Sequence, residues 1–322
     1  MIRKLVIQIF KICVSVILVG FLLRRIGIEN ILKQFQMVQL NWLAGGLLIF
    51  SLSHLLGSYQ WMLLLRNEGI PITWRKTVSF YYVGLFFNNF LISSLGGDLF
   101  RMVDIRRYSK KGTSAVSTVF LDRFMGLLVL SGIAVFMIPW VLIQKKIVFN
   151  YNTPVILFSV GWIFILLLLF NKRFAQPFSW VIRQIIPPRL SVKAREVYRK
   201  TYSFGRQKNL LMKVVLLSII IQSARILMHY FVCRSLGVEI SPCYFFLIIP
   251  IVAIMASMPV TIGGIGLREQ TSVLLFGMVG MVPEVAASME FIAFLIAILS
   301  SVPGGVLFIV RKKVSQGNEN VV

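Results

Sequence analysis

The stretch Asn88–Arg101, NNFLISSLGGDLFR, has a counterpart at Ser257–Glu269, SMPVTIGGIGLRE. Each is an apolar run that stops at paired glycines and passes at once into charged residues. Such breaks release backbone N–H and C=O groups from the helix. A bilayer tolerates that only where the backbone is buried in protein or lines a wet cavity. Asp98, Arg101, Arg268 and Glu269 then fall where an ionised side chain costs about 2.5–3.5 kcal/mol on insertion scales, so they need partners or a task. We read the two motifs as facing tips of one polar site inside a membrane. Its backbone comes from Gly96, Gly97, Pro259, Gly263, Gly264 and Gly266.

The surrounding chain supports a membrane setting. Hydrophobic residues make up 57% of it, the mean hydropathy is +0.84, and several apolar runs approach 20 residues, the length that spans a bilayer. A formal net charge of +23 could suggest nucleic acid. The basic residues lie between apolar runs, however, and no polar stretch is long enough for a recognition domain, so no nucleic-acid partner is expected. Their placement instead fits cytoplasmic loops that contact anionic lipid headgroups. Cys13, Cys233 and Cys243 are odd in number and scattered, which argues against a disulfide framework or a metal motif. Arg3 and Lys4 precede an apolar stretch as in a signal peptide. Lys11 interrupts that stretch and no small-residue cleavage site follows, so a retained first helix is expected.

Apolar spans are expected near Leu5–Leu23, Trp42–Leu65, Thr77–Leu95, Ala115–Val141, Pro154–Phe170, Leu210–Cys233, Pro242–Met258, Gln270–Met281 and Val285–Val310. Trp42 matches Leu210, Trp74 matches Pro242, Gly97 matches Gly264 and Ala115 matches Val285, at a steady offset of about 168 residues. The fold class predicted is therefore an all-α polytopic membrane protein, a single transmembrane domain over 1–322. Repeat 1 covers about 42–141 and repeat 2 about 210–310. Each unit is a spanning helix, a glycine-tipped broken or re-entrant hairpin and a second spanning helix. The one extra span between them turns the second unit upside down, the inverted arrangement that places transporter sites at mid-membrane. Whether the hairpins re-enter or cross fully stays open.

With the N-terminus in the cytoplasm, Arg66–Lys76, Arg101–Lys111, Lys172–Lys213 and Arg311–Lys313 are all cytoplasmic. That satisfies the positive-inside rule and puts both termini on the cytoplasmic side of the inner membrane. The basic loop at about 171–209 could carry a short interfacial helix or simply fix topology.

Further polar residues fall inside the spans. Asp122 and Arg123 are adjacent and point to different faces, so Asp122 needs a partner from another helix, Arg101 or Arg268. Gln222, Arg225 and His229 share one helical face, as do Ser51, His54 and Ser58. Arg225 is the costliest of these and is read as functional. The spacing of Thr118, Asp122 and Gly126 allows close helix packing. Asn88 and Asn89 could cap the freed backbone or contact a headgroup. No zinc, nucleophile-elbow or Walker motif occurs, and Gly263, Gly264 and Gly266 follow no strand. No catalytic residue, metal site or cofactor is expected. Amides at the helix N-termini beside arginines favour an anion such as phosphate.

Three motifs carry a resemblance. GGDLFR (Gly96–Arg101), Asp122-Arg123 followed by Gly126, and PVTIGGIGLRE (Pro259–Glu269) together resemble the transmembrane domain of lysylphosphatidylglycerol synthases and the stand-alone flippase-like proteins related to it. The similarity runs from about Leu5 to Val310. It implies a membrane domain that moves phospholipid or polyprenyl-type lipid between leaflets. In the full synthases a soluble domain performs the aminoacyl transfer. This chain stops at Val322, so that activity is not expected of it. The resemblance carries over Asp98, Arg101, Asp122, Arg123, Gly263, Gly264, Arg268 and Glu269 as the polar site. In a flippase, Arg101, Arg268 and Arg225 would hold the headgroup phosphate. The acids would position the arginines or couple movement to protons, and the glycines and Pro259 would act as hinges. Asn89, Gly96, Gly97 and Gly266 complete the expected substrate site. The competing reading is a lipid-modifying membrane component that works with a separately encoded soluble transferase.

Overall fold

A computed structural model of the chain describes residues 2–90, 96–143, 161, 204, 207–258 and 260–319. Pro259, residues 91–95 of the first motif, most of the expected span Pro154–Phe170 and most of the basic loop at 171–209 lie outside the described residues. The described part is helical: α1 (Ile2–Ile26), α2 (Ile28–Gln36), α3 (Leu40–Asn67), α4 (Trp74–Phe90), α5 (Gly96–Ser109), α6 (Gly112–Ile143), α7 (Lys208–Ser235), α8 (Pro242–Ser257), α9 (Leu267–Gly277) and α10 (Pro283–Glu319). The expected spans match these helices to within a few residues at most ends. The short helix α2 was not anticipated. It follows a break at Gly27 and buries Ile31.

Among the described residues, four helices are long and apolar enough to cross a membrane: Leu40–Asn67, Gly112–Trp140, Lys208–Ser235 and Pro283–Arg311. These are the first and last helices of the two expected units. A 28-residue helix is about 42 Å long at 1.5 Å per residue, which exceeds the ~30 Å hydrocarbon core. Their exposed side chains include Leu48, Phe136, Leu216, Leu299 and Val306. Lipid, unlike water, accepts such a perimeter at no cost.

The chain is a multi-pass membrane protein whose two units are inverted. α3 and α7 pack along each other. Gln39 accompanies Ser235, Trp42 stacks edge-on against Phe231, and Gln60 bonds to Ser218. Ascending positions on α3 meet descending positions on α7, so the two helices run antiparallel. The remaining contacts keep this exchange. α4 packs on α10 as α8 packs on α6, and α5 packs on α6 as α9 packs on α10. Each hairpin therefore leans on the last helix of the other unit, and the two units interlock.

The hairpins break by different means. In the first, α5 crosses α4 backbone against backbone: a Cβ on Gly97 would lie 1.8 Å from the Gly84 carbonyl oxygen. In the second, Gly263, Gly264 and Gly266 take φ of 58°, 78° and 87°. Side chains rarely adopt that left-handed region, so the helix ends there and α9 starts afresh. α1 braces this second tip. The Ile262 amide donates to Ser15 Oγ at 3.0 Å, and Gln270 donates to the Leu18 carbonyl at 3.3 Å.

Candidate functional site

Between the units lies a cavity of about 470 Å³. Arg101, Asp122 and Arg123 from unit 1 line it, together with Arg225, His229, Arg268 and Glu290 from unit 2. The arginines of both glycine motifs thus face one space. Its two walls are finished differently.

The wall from unit 1 is electrically closed. Arg101 Nη2 donates to Asp122 Oδ2 at 2.8 Å, and its Nη1 lies 3.6 Å from Asp98 Oδ1. Arg123 Nε reaches Asp98 Oδ2 at 2.9 Å. Gln60 donates to Asp122 Oδ1 at 3.2 Å and accepts from Ser218 at 2.9 Å, which joins the network to α7. The Arg101 guanidinium is also held 4.0 Å from the Trp61 ring centroid and 4.6 Å from that of Tyr81. Two carboxylates balance two guanidiniums. Burial is tolerable because most lone pairs and protons are engaged. Asp122 thus takes Arg101 as its partner, and Arg123 turns away to Asp98.

The wall from unit 2 is left open. Arg268 Nε donates to Glu269 Oε1 at 2.8 Å, and its guanidinium lies 4.5 Å from the Phe294 ring centroid. Its buried Nη2 has no hydrogen-bond partner among the described residues. Arg225 makes no ion pair among the described residues, and its Nε is buried without a partner. A guanidinium inside the membrane without a counter-charge is costly. It forms a ready site for an anion.

The glycine tips do not present their helix N-termini freely to the cavity. The Gly97 amide donates to Asn88 Oδ1 at 2.9 Å, and the Gly266 amide donates to Glu269 Oε2 at 2.6 Å. Glu269 therefore caps α9 from three residues on while holding Arg268. Gly96 is buried, and a Cβ on Gly264 would meet Ala256 Cβ at 2.7 Å. Gly263 is exposed. Asn88 lines the cavity, whereas Asn89 donates to the Ala297 carbonyl at 3.0 Å and ties α4 to α10. Of the expected polar residues, Arg101, Asp122, Arg123, Arg225 and Arg268 line the cavity. Asp98 and Glu269 stand behind it as holders of arginines.

Sequence reading missed Gln60, Trp61, Tyr81 and Glu290. Glu290 carried a signal, because it is an acid within a long apolar run near the repeat position of Asp122. Gln60, Trp61 and Tyr81 belong to no motif.

A family model described as "Lysylphosphatidylglycerol synthase TM region" matches residues 8–306. A UPF0104 membrane protein of Pyrococcus horikoshii is 25% identical to this chain over 328 aligned positions, which cover 94% of this chain and 96% of that protein. The match spans both units and every cavity-lining charge, and the family implies a lipid-related function in the membrane. By its helices, its inverted halves and this match, the chain belongs to the lysylphosphatidylglycerol synthase transmembrane-region family.

Proposed function

We propose that the protein moves an anionic lipid between leaflets, with the headgroup passing through the cavity and the acyl chains staying in the bilayer. One observation carries this reading: among the described residues Arg225 faces the cavity with no counter-charge, opposite a wall whose own charges are already balanced. Arg225 and the free Nη2 of Arg268 are the groups that contact the phosphate, and Arg101 shapes the opposite wall. A cavity of about 470 Å³ falls within the ~300–1,000 Å³ range of small-molecule pockets, adequate for a phosphodiester headgroup. Rocking of the interlocked units about the antiparallel α3–α7 pair would open the cavity to each side in turn. The distribution of basic residues supports an inner-membrane orientation with both termini in the cytoplasm.

The test is leaflet exchange. Purified protein is reconstituted into phosphatidylcholine vesicles with a trace of tail-labelled phosphatidylglycerol, and an impermeant quencher reports the outer-leaflet fraction. The expected result is exchange well above that of protein-free vesicles. Arg225→Gln should slow it by roughly ten- to hundredfold, the worth of about 1.5–3 kcal/mol for a hydrogen bond to a charge. Wild-type vesicles that exchange neither this lipid nor a polyprenyl phosphate would refute the reading.

A further inference from the structure

Among the described residues, Glu290 is the acid on the open wall that no arginine neutralises. It lies within about a half-turn of the repeat position of Asp122, as Arg268 lies within one residue of that of Arg101. In unit 1 that pair is closed at 2.8 Å. In unit 2 it is open, because Arg268 is drawn to Glu269 instead. Glu290 is nonetheless 1% exposed, and its buried Oε1 has no hydrogen-bond partner among the described residues. Its other oxygen, Oε2, faces His229 Nε2 at 3.8 Å.

The histidine on the far side of that gap fixes the chemistry. His229 Nδ1 lies 3.1 Å from the Arg225 carbonyl oxygen, which can only accept, so Nδ1 carries a hydrogen. In the neutral ring Nε2 is then a bare acceptor, facing a carboxylate that is also an acceptor. A proton on either one resolves the conflict. On α7, Arg225 lies one turn before His229. On α9, Arg268 and Glu269 largely cancel. On α3, His54 accompanies Ser300 of α10 at 3.4 Å. On α4, Tyr82 packs edge-on against His54. Across the cavity, the Asp98, Arg101, Asp122 and Arg123 set is balanced. Among the described residues, Arg225 is thus the cavity-lining charge on this side that no carboxylate pairs with.

We propose that Glu290 and His229 form a proton site and that the anionic headgroup and one proton cross the membrane together. This rests on the lipid-moving reading above and adds the coupling ion. A phosphodiester that pairs with Arg225, one turn before His229 on α7, brings a negative charge into the cavity that Glu290 also lines. The pair then takes up a proton from the aqueous phase to which the cavity is open. An O–H bond forms on Glu290, or an N–H bond on His229 Nε2, and the same bond breaks when the headgroup leaves on the other side. The net movement is one anion and one proton, with no change in charge.

Neutral co-transport makes an asymmetric demand. A pH difference should drive lipid accumulation in the leaflet of the alkaline side, up to about tenfold per pH unit, since one unit is tenfold in proton activity. A membrane potential alone should drive none. The experiment uses the vesicles described above. A pH-sensitive dye is placed in the lumen, and either a pH difference or a potassium-diffusion potential is imposed, with protein-free vesicles as control. The expected result is lipid redistribution with luminal proton flux under the pH difference and neither under the potential. In Glu290→Gln, vesicles with and without the pH difference should exchange at the same rate. Exchange in the wild type with no proton flux and no response to the pH difference would overturn the proton site and leave the lipid reading standing. Absence of exchange for every lipid would overturn both. Proton-independent exchange limited to an amine-bearing lipid and lost in Glu290→Gln would also overturn it, by assigning Glu290 to the headgroup.

Discussion

At the scale of the residue, cavity charges divide into those that hold the protein together and those left for a ligand, and the two kinds should respond oppositely to replacement. Asp122 is 9% exposed and carries Arg101 at 2.8 Å. Asp122→Ala strands a buried guanidinium between Trp61 and Tyr81. It should lower stability by about 3–5 kcal/mol, read as a fall in thermal midpoint in detergent. Replacing Arg101 by Met as well should recover much of that loss, because an apolar pair leaves no uncompensated charge. Arg225 has no ion-pair partner to strand among the described residues. Arg225→Gln should leave the thermal midpoint unchanged or slightly higher while leaflet exchange falls. How much of this was legible in the sequence depends on the kind of residue. Asp98, Arg101 and Arg268 announce themselves by following glycine pairs. Glu290 is a lone acid in the run MEFIAFLIA, where the neighbours' hydropathy masks it. That Asn88 caps Gly97 at the cavity while Asn89 ties α4 to α10 follows from the face of α4 that meets the cavity, which depends on packing and not on the motif.

At the scale of the element, the first hairpin depends on the crossing of α4 and α5, where two backbones touch at Gly84 and Gly97. A methyl group on Gly97 would meet the Gly84 carbonyl and Asn88, so the limbs must part. Gly97→Ala should therefore abolish the monodisperse peak in size exclusion or cost upward of about 1–3 kcal/mol, as overpacking does elsewhere. Gly277→Ala serves as a control, because a Cβ there meets nothing within 4 Å. The helix ends were legible to within a few residues wherever glycine, proline or a charge cluster closed an apolar run. α8 opens on Pro242 at its first position, where a missing N–H does no harm. The bracing of the second tip by α1 was not legible. Ser15 and Leu18 look like ordinary residues of a membrane helix, and only the fold brings them against Ile262 and Gln270.

At the scale of the whole molecule, the constant offset between halves foretold two copies, and the antiparallel packing of α3 on α7 shows that they are inverted. The interlocking of each hairpin with the last helix of the other unit could not be read from the sequence, because an offset reports likeness and not contact. The proposed orientation is checked by labelling single cysteines in a background with Cys13, Cys233 and Cys243 replaced. Lys110→Cys should react only with reagent added from the cytoplasmic side and Lys33→Cys only from outside. The reverse pattern would turn the molecule over. The claim on which all else depends is that the space between the inverted units receives a lipid headgroup. An electron cryo-microscopy map of the protein in phosphatidylglycerol nanodiscs tests it most directly. Phosphate density within hydrogen-bond reach of the Arg225 and Arg268 guanidiniums is expected. Headgroup density confined to the two bilayer surfaces, with those arginines turned onto protein carboxylates, would contradict the account.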